Sequence, residues 1–361
     1  MLKRLAACTL AAFVSTALVV SASRPAQATA ASHLPSRLAD QEFWSLAEDL
    51  SEVGGTFRSD NLLSNESRLQ FVIPDLLKTV GHGGAYVGVG PEQNFTYIAA
   101  LQPSIAFIVD IRRGNLQLHL MYKALFELSA DRAEFVSRLF SRPRPDHLDA
   151  ASTPAAIFEA YANAAPSEAL YQENLEAIEG RLAGVHGFPL SAEDRRGIAH
   201  VYHAFYAFGP GINYSSSETG NANLGYRPTY ADLMLATDGA GDARSYLAAE
   251  ESFAIVKALQ ARNLIVPVVG DFAGAKAVRA VGAYLRRHDA TVSAFYVSNV
   301  EQYLRLERVW GSFCGNASRL PIDDTSTFIR AGRGGRYSRG TALTAELAPI
   351  AVEVEGCDRR P

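Results

Sequence analysis

The sequence predicts an α/β protein whose doubly wound, mostly parallel sheet is interrupted by a large helical insertion. Three observations carry this expectation. Two continuous apolar runs, 85–89 and 105–111 ("IAFIVDI"), flank an amphipathic stretch; strands read this way when helices cover both faces of a parallel sheet. Two more runs, 264–272 ("LIVPVVGDF") and 291–299 ("TVSAFYVSN"), alternate with helical patterns further on, the layout of βαβ units. Between the two sets, 141–244 is rich in Pro, Ala, Ser, Gly and Tyr and holds helical patterns.

Taken in order, residues 1–28 have the three-part layout of a secretory signal peptide: Lys3 and Arg4, an apolar stretch at 5–20, and Ala26-Gln27-Ala28. A bilayer span needs roughly 20 apolar residues. Cleavage near Ala28 or Ala30 is therefore expected, with export to the periplasm or beyond and no membrane span left. Residues 38–53 read as a helix ended by Gly54-Gly55, 57–66 as a polar loop, and 68–80 as a helix kinked at Pro74. Strand 85–89 runs into Gly88-Val89-Gly90, and Pro91 opens a helix to 101 at its favoured first position. One long helical pattern fills 114–139, closing the first part of the sheet domain, 29–140.

Within the insertion, 154–163, 167–182 and 191–207 read as helices. The glycine-rich tract 209–228 reads as a loop of the length that usually carries function. The second part of the sheet domain, 245–361, continues with helix 245–263, strand 264–272, helix 273–289, strand 291–299, helix 300–312 and a late strand at 348–356.

The chain has 361 residues and a formal net charge of −4. Nucleic acid is excluded as the main partner, because no basic stripe is present to neutralise phosphates. The basic loop 332–340 ("GRGGRYSRG") is too local to change this. Once residues 1–28 and Cys8 are removed, Cys314 and Cys357 remain, a candidate disulfide in an oxidising compartment or two unconnected thiols. His200 and His203 share a helix face at i, i+3, but zinc sites take three or four ligands and no further cluster accompanies them. No metal is expected.

The chemistry centres on Gly88-Val89-Gly90. A strand, Gly-x-Gly and a helix N-terminus together make an anion-receptive turn. Asp110, 22 residues after Gly88, ends the next strand, where a carboxylate meets ribose hydroxyls in dinucleotide-type sites. The same glycines would also serve a tight turn needed only for chain reversal. In a shared site at one sheet edge, the backbone after Gly90 would take an anionic group and Glu92 or Asn94 an amine. Asp271 would end a third strand, and Phe272 and Tyr296 would offer flat surface to a ring. Asp60, Asn61, Asn65 and Glu66 could orient a ligand amine or act as a base, though such residues also cap helices. Arg112 and Arg113 could clamp an anion or simply be solvated.

"DNLLSNE" (60–66), "YVGVGPEQNF" (86–95) and "FIVDIRR" (107–113), with Gly270-Asp271-Phe272 after a later strand, give the chain a resemblance. It resembles class I S-adenosylmethionine-dependent methyltransferases, which have a Rossmann-like fold, and a family of uncharacterised bacterial proteins with that fold. The resemblance implies that Gly88 to Gly90 face the methionine end of the cofactor, that Asp110 holds the ribose, and that Asp271 and Phe272 border the adenine. It places "YVSN" (296–299) at an Asn/Asp-Pro-Pro-aromatic motif, making Tyr296 and Asn299 catalytic candidates beside Glu66 of the polar cluster. Three departures accompany it: Tyr86 stands where an acid is usual, Glu92 where a third glycine is usual, and no Pro-Pro follows Asn299. Two functions are therefore expected as alternatives. One is an S-adenosylmethionine-dependent methyltransferase. The other is an exported, non-catalytic small-molecule-binding protein that keeps the crevice without the chemistry.

Overall fold

Residues with branched and aromatic side chains and few polar interruptions build the middle of a six-stranded sheet. Its order is β3-β2-β1-β4-β5-β6, with β1 Ala85–Gly88, β2 Ile105–Asp110, β3 Ile265–Val269, β4 Val292–Ser298, β5 Thr327–Gly332 and β6 Thr344–Pro349. Strands β1 to β5 are parallel and β6 is antiparallel to β5. Every residue of β1, β2 and β3 is buried, so these segments read as unbroken apolar runs rather than alternations. The chain winds from β1 out to β2 and β3, then returns to the other side of β1 as β4. A crevice opens beyond the carboxyl ends where the order reverses.

The computed structural model describes residues 33–57, 59–216, 227–332 and 344–357. The expected signal peptide with its cleavage positions and Cys8, the middle of the glycine-rich tract and nearly all of the basic loop lie outside the described residues. Among the described residues no helix is long and apolar enough to cross a membrane.

The helices are α1 Asp40–Leu50, α2 Ile73–Thr79, α3 Gln93–Leu101, α4 Arg113–Leu128, α5 Arg132–Phe140, α6 Pro154–Asn163, α7 Glu168–Glu179, α8 Ala192–Phe208, α9 Tyr230–Leu235, α10 Glu250–Ala261, α11 Ala277–Arg287, α12 Val300–Leu306, α13 Trp310–Ala317 and α14 Ile350–Glu353. Strand β2 is packed against both α4 and α11. The insertion docks through α8 on α4, where Arg113 Nε donates to Asp194 Oδ1 at 2.8 Å and Nη2 to Oδ2 at 2.9 Å. Burial opposes the charge on Asp194, but hydrogen bonds from Arg113, Ser191 and Gln117 outweigh it and hold the carboxyl at about 2.

Four elements differ from expectation, each for a local reason. The pattern at 114–139 is two helices, because Asp131 caps α5 by accepting from Glu134 N and so ends the run after Ser129. Pro74 sits in the first turn of α2, after a 3₁₀ turn at Leu69–Val72, where it bends nothing. The 300–312 pattern also divides, at Arg308 with φ +61°. The late strand expected at 348–356 is instead the end of β6 followed by α14. Its partner β5 was hidden because Arg330 interrupts the apolar run; in the fold that guanidinium pairs with Glu301 and Glu353, each at 2.9 Å. Cys314 and Cys357 are joined as a disulfide, Cα to Cα 5.3 Å, tying α13 to the chain after α14.

Candidate functional site

A cavity of ≈ 150 Å³ lies at the carboxyl edge of the sheet, lined in part by Gly90, Asp110, Asp271 and Ser298, each from beyond or at the end of a different strand. Thr56, Phe57, Asn61, residues 64–66 and α12 complete its walls. Glu66, Phe272 and Asn299 also line it, whereas Gly88, Glu92, Asn94 and Tyr296 do not.

Those four are placed elsewhere by packing. A Cβ at Gly88 would lie 2.0 Å from Asn94 Oδ1 and 2.8 Å from Tyr86 Cε1, so the glycine makes room for a brace. Asn94 Nδ2 donates to the carbonyls of Val89 (3.0 Å), Gly90 (3.1 Å) and Pro91 (2.8 Å), and Asn94 Oδ1 accepts from Tyr86 OH at 2.9 Å. Tyr86, standing where the resemblance implies an acid, thus serves the turn itself. Gly90 has φ +79°, a conformation that favours glycine. Glu92 is fully buried, accepts from Ser64 N at 3.2 Å, and is pushed up to about 8, chiefly by burial. An amine receptor at Glu92 or Asn94 is therefore corrected: both hold the turn from behind. Tyr296 is also fully buried, its ring against Tyr97 at 5.2 Å, so it offers no face to a ligand ring.

At the β2–β3 end the polar groups are engaged with one another. Asp110 Oδ1 accepts from Arg112 N (2.9 Å) and Nε (3.0 Å), and Oδ2 from Arg112 Nη2 (2.8 Å). Arg112 Nη1 also donates to the carbonyl of Asp60. With Arg113 committed to Asp194, neither arginine is a free anion clamp. Asp271 N donates to Glu52 Oε1 at 2.9 Å and Lys276 N to Glu52 Oε2 at 3.1 Å. The chain from Glu52 to Gly55 is laid over this end, Glu52 N donating to Val269 O (2.9 Å) and Gly55 N to Ile111 O (2.8 Å). Phe272 packs against Phe295 and Phe313, centroids 5.0 and 5.7 Å away. At the rim, Phe57 meets the ring of Tyr303 edge-on at 5.3 Å.

The β1–β4 end is finished differently. Glu66 is 1% exposed; its Oε1 accepts from Tyr296 OH and from Ser298 Oγ (2.5 Å). Its Oε2 has no partner among the described residues. Burial raises the Glu66 carboxyl above its ordinary range, against these two hydroxyl bonds. Gln93 also lines the cavity; its Nε2 donates to Val89 O and Tyr296 OH, both at 3.2 Å, and its Oε1 is likewise unpartnered. Sequence reasoning missed Gln93, Ser298 and Glu52. A glutamine in the first turn of a helix opening from Gly-x-Gly was the available signal for the first. His200 lies 3.4 Å from Asp60, and His203 packs against Tyr171.

No curated protein matches the chain. Residues 62–200 and 223–348 match a family described as a domain of unknown function, DUF7790. The match spans more than half of the chain and holds the ends of β1, β2, β3 and β4 that surround the cavity; the protein belongs to the DUF7790 family.

Proposed function

We propose that the cavity is a small-molecule site of the S-adenosylmethionine type and that this is a methyltransferase-like binding protein with a Rossmann-like core. One observation carries the reading. Residues at the ends of four parallel strands line one cavity at the point where strand order reverses, which is where open α/β sheets bind nucleotides. The residues present suit the ligand. Asp110 keeps acceptor capacity beyond its three bonds from Arg112, since a carboxylate has about four lone-pair sites, and would meet ribose hydroxyls. Asp271 and Phe272 would border the adenine. The unpartnered acceptors of Glu66 and Gln93 suit a ligand rich in N–H donors. S-adenosylmethionine would supply an electrophilic methyl group there, and the chain's own part would be orientation and exclusion of water.

The alternative, binding without transfer, is favoured by the neutralising Asp110–Arg112 pair and by the export expected from residues 1–28. Calorimetry with S-adenosylmethionine and S-adenosylhomocysteine tests the site. Saturable binding of either supports it, and no heat at millimolar ligand rejects the cofactor assignment. S-adenosylhomocysteine released from S-adenosylmethionine, followed by mass spectrometry with candidate acceptors, separates a transferase from a binding protein.

A further inference from the structure

Folding leaves two polar atoms unused at the β1–β4 end of the cavity. An unsatisfied buried polar group is destabilising, so a pair in one wall calls for an occupant. Asn115, His119 and Tyr122 also have unpartnered buried atoms, but none of these residues lines the cavity. Glu66 Oε2 and Gln93 Oε1 belong to residues that do.

Their placement is fixed by one hydroxyl. Gln93 Nε2 donates to Tyr296 OH, which donates to Glu66 Oε1, so one phenol ties the two side chains together. With Gln93 Nε2 spent on Val89 O and Tyr296, only acceptor capacity remains on that residue. Arg112, the guanidinium lining the cavity, is committed to Asp110 and to the Asp60 carbonyl. Among the described residues no other cation lines the cavity, so the donor sought is one that comes with the ligand. We propose that Glu66 and Gln93 form a receptor for a protonated primary or secondary amine. The inference rests on the cavity being a ligand site and not on the identity of a nucleoside. A quaternary ammonium, which has no N–H to give, would be disfavoured.

Proton linkage follows from the surroundings. Glu66 faces the phenols of Tyr86, Tyr97 and Tyr296, which its charge pushes further from ionisation, and Glu92 beneath the turn. Across the cavity stands the closed Asp110–Arg112 pair. Among the described residues no uncommitted cation steadies the Glu66 carboxylate, and burial favours its protonated form. An arriving ammonium supplies that charge, so the carboxyl releases its proton on binding and affinity rises with pH.

The test is calorimetry on the full chain with n-butylammonium, and with n-butanol as its neutral counterpart, in phosphate and in HEPES, neither of which is a primary or secondary amine. The wild-type protein should bind n-butylammonium about tenfold or more tightly than n-butanol and release protons as it does so, fewer as pH rises. Glu66→Gln should weaken n-butylammonium about tenfold and abolish proton release. Gln93→Met should weaken it by about threefold, which keeps the test alive if Glu66→Gln does not fold. Equal binding of the two compounds, or an unchanged Glu66→Gln or Gln93→Met, overturns the receptor. S-adenosylhomocysteine titrated into the same wild-type protein keeps the two proposals apart. If it binds while n-butylammonium does not, the receptor fails and the cofactor reading stands. If n-butylammonium alone binds, the cofactor reading fails.

Discussion

At the β2–β3 end of the cavity, Asp110 is held by Arg112 and Glu52 by the backbone of Asp271 and Lys276; at the β1–β4 end, Glu66 and Gln93 each keep a buried oxygen without a partner among the described residues. Both ends hang on strand termini of one parallel sheet. The difference lies in who supplies the hydrogen bonds. Where the chain supplies them, polar side chains act as architecture, and removing one costs stability. Where it does not, the proposed receptor predicts that the same residue types serve another molecule, so that changing one costs affinity.

The largest effect expected on the closed end comes from the disulfide behind it. Two residues beyond Cys314, Asn316 Nδ2 donates to Phe272 O and Gly274 O, both at 2.8 Å, and its Oδ1 accepts from Arg279. Helix α13 thereby props the segment after β3. Cys314 and Cys357 are 43 positions apart, a loop whose closure contributes roughly 4 kcal/mol in the chain-entropy model. Guanidinium denaturation with and without reductant should differ by that amount. S-adenosylhomocysteine affinity should fall in the reduced protein, while n-butylammonium affinity holds. Identical unfolding midpoints would remove α13 from the support of the closed end.

Asp110→Asn comes next. Sequence spacing suggests that this change weakens a ligand with little loss of stability. The structure alters the expectation, because Asp110 is 4% exposed and pairs with an Arg112 that is 8% exposed. Removing the charge leaves a buried guanidinium short of its partner, at a cost of about 3 kcal/mol. The unfolding free energy should fall accordingly, with any change in S-adenosylhomocysteine binding superimposed. Unaltered stability would mean that the pair is dispensable and that the two ends are less distinct than drawn.

What could be read from the sequence follows the same division. Strands β1 to β3 were legible because burial on both faces leaves unbroken apolar runs, and β4 because only Ser293 and its last residue depart from one. Gly90 and Asp110 were legible because a turn and a strand end have fixed spacing. Hydrogen-bond partners were not legible: Glu66 and Tyr296 lie 230 positions apart, and Glu52 and Asp271 lie 219. Nothing local says which carboxylate folding will satisfy. Glu92 and Glu66 stand on polar stretches of similar appearance, yet one receives a backbone N–H behind the turn and the other lines the cavity.

The smallest effect on binding is expected at Glu92, and it tests whether the open end stops at the cavity wall. Glu92 sits against the same β1–α3 turn as Gln93 but does not line the cavity. Its carboxyl is raised from 4.5 to about 8, first by burial. A group raised in the folded state contributes stability that is fully present below the unfolded value and is lost as pH climbs through the folded one. The window here runs from about pH 4.5 to about pH 8. Glu92→Gln cannot ionise, so its unfolding free energy, measured by denaturant at pH 5 and pH 8, should decline less across that window than the wild type's. Affinity for n-butylammonium or S-adenosylhomocysteine should change by less than about twofold. A tenfold loss of affinity with the wild-type pH slope retained would put Glu92 among the ligand's partners. The amine would then be shared between two carboxyls, and the contrast between a braced turn and an open receptor would fail where they meet.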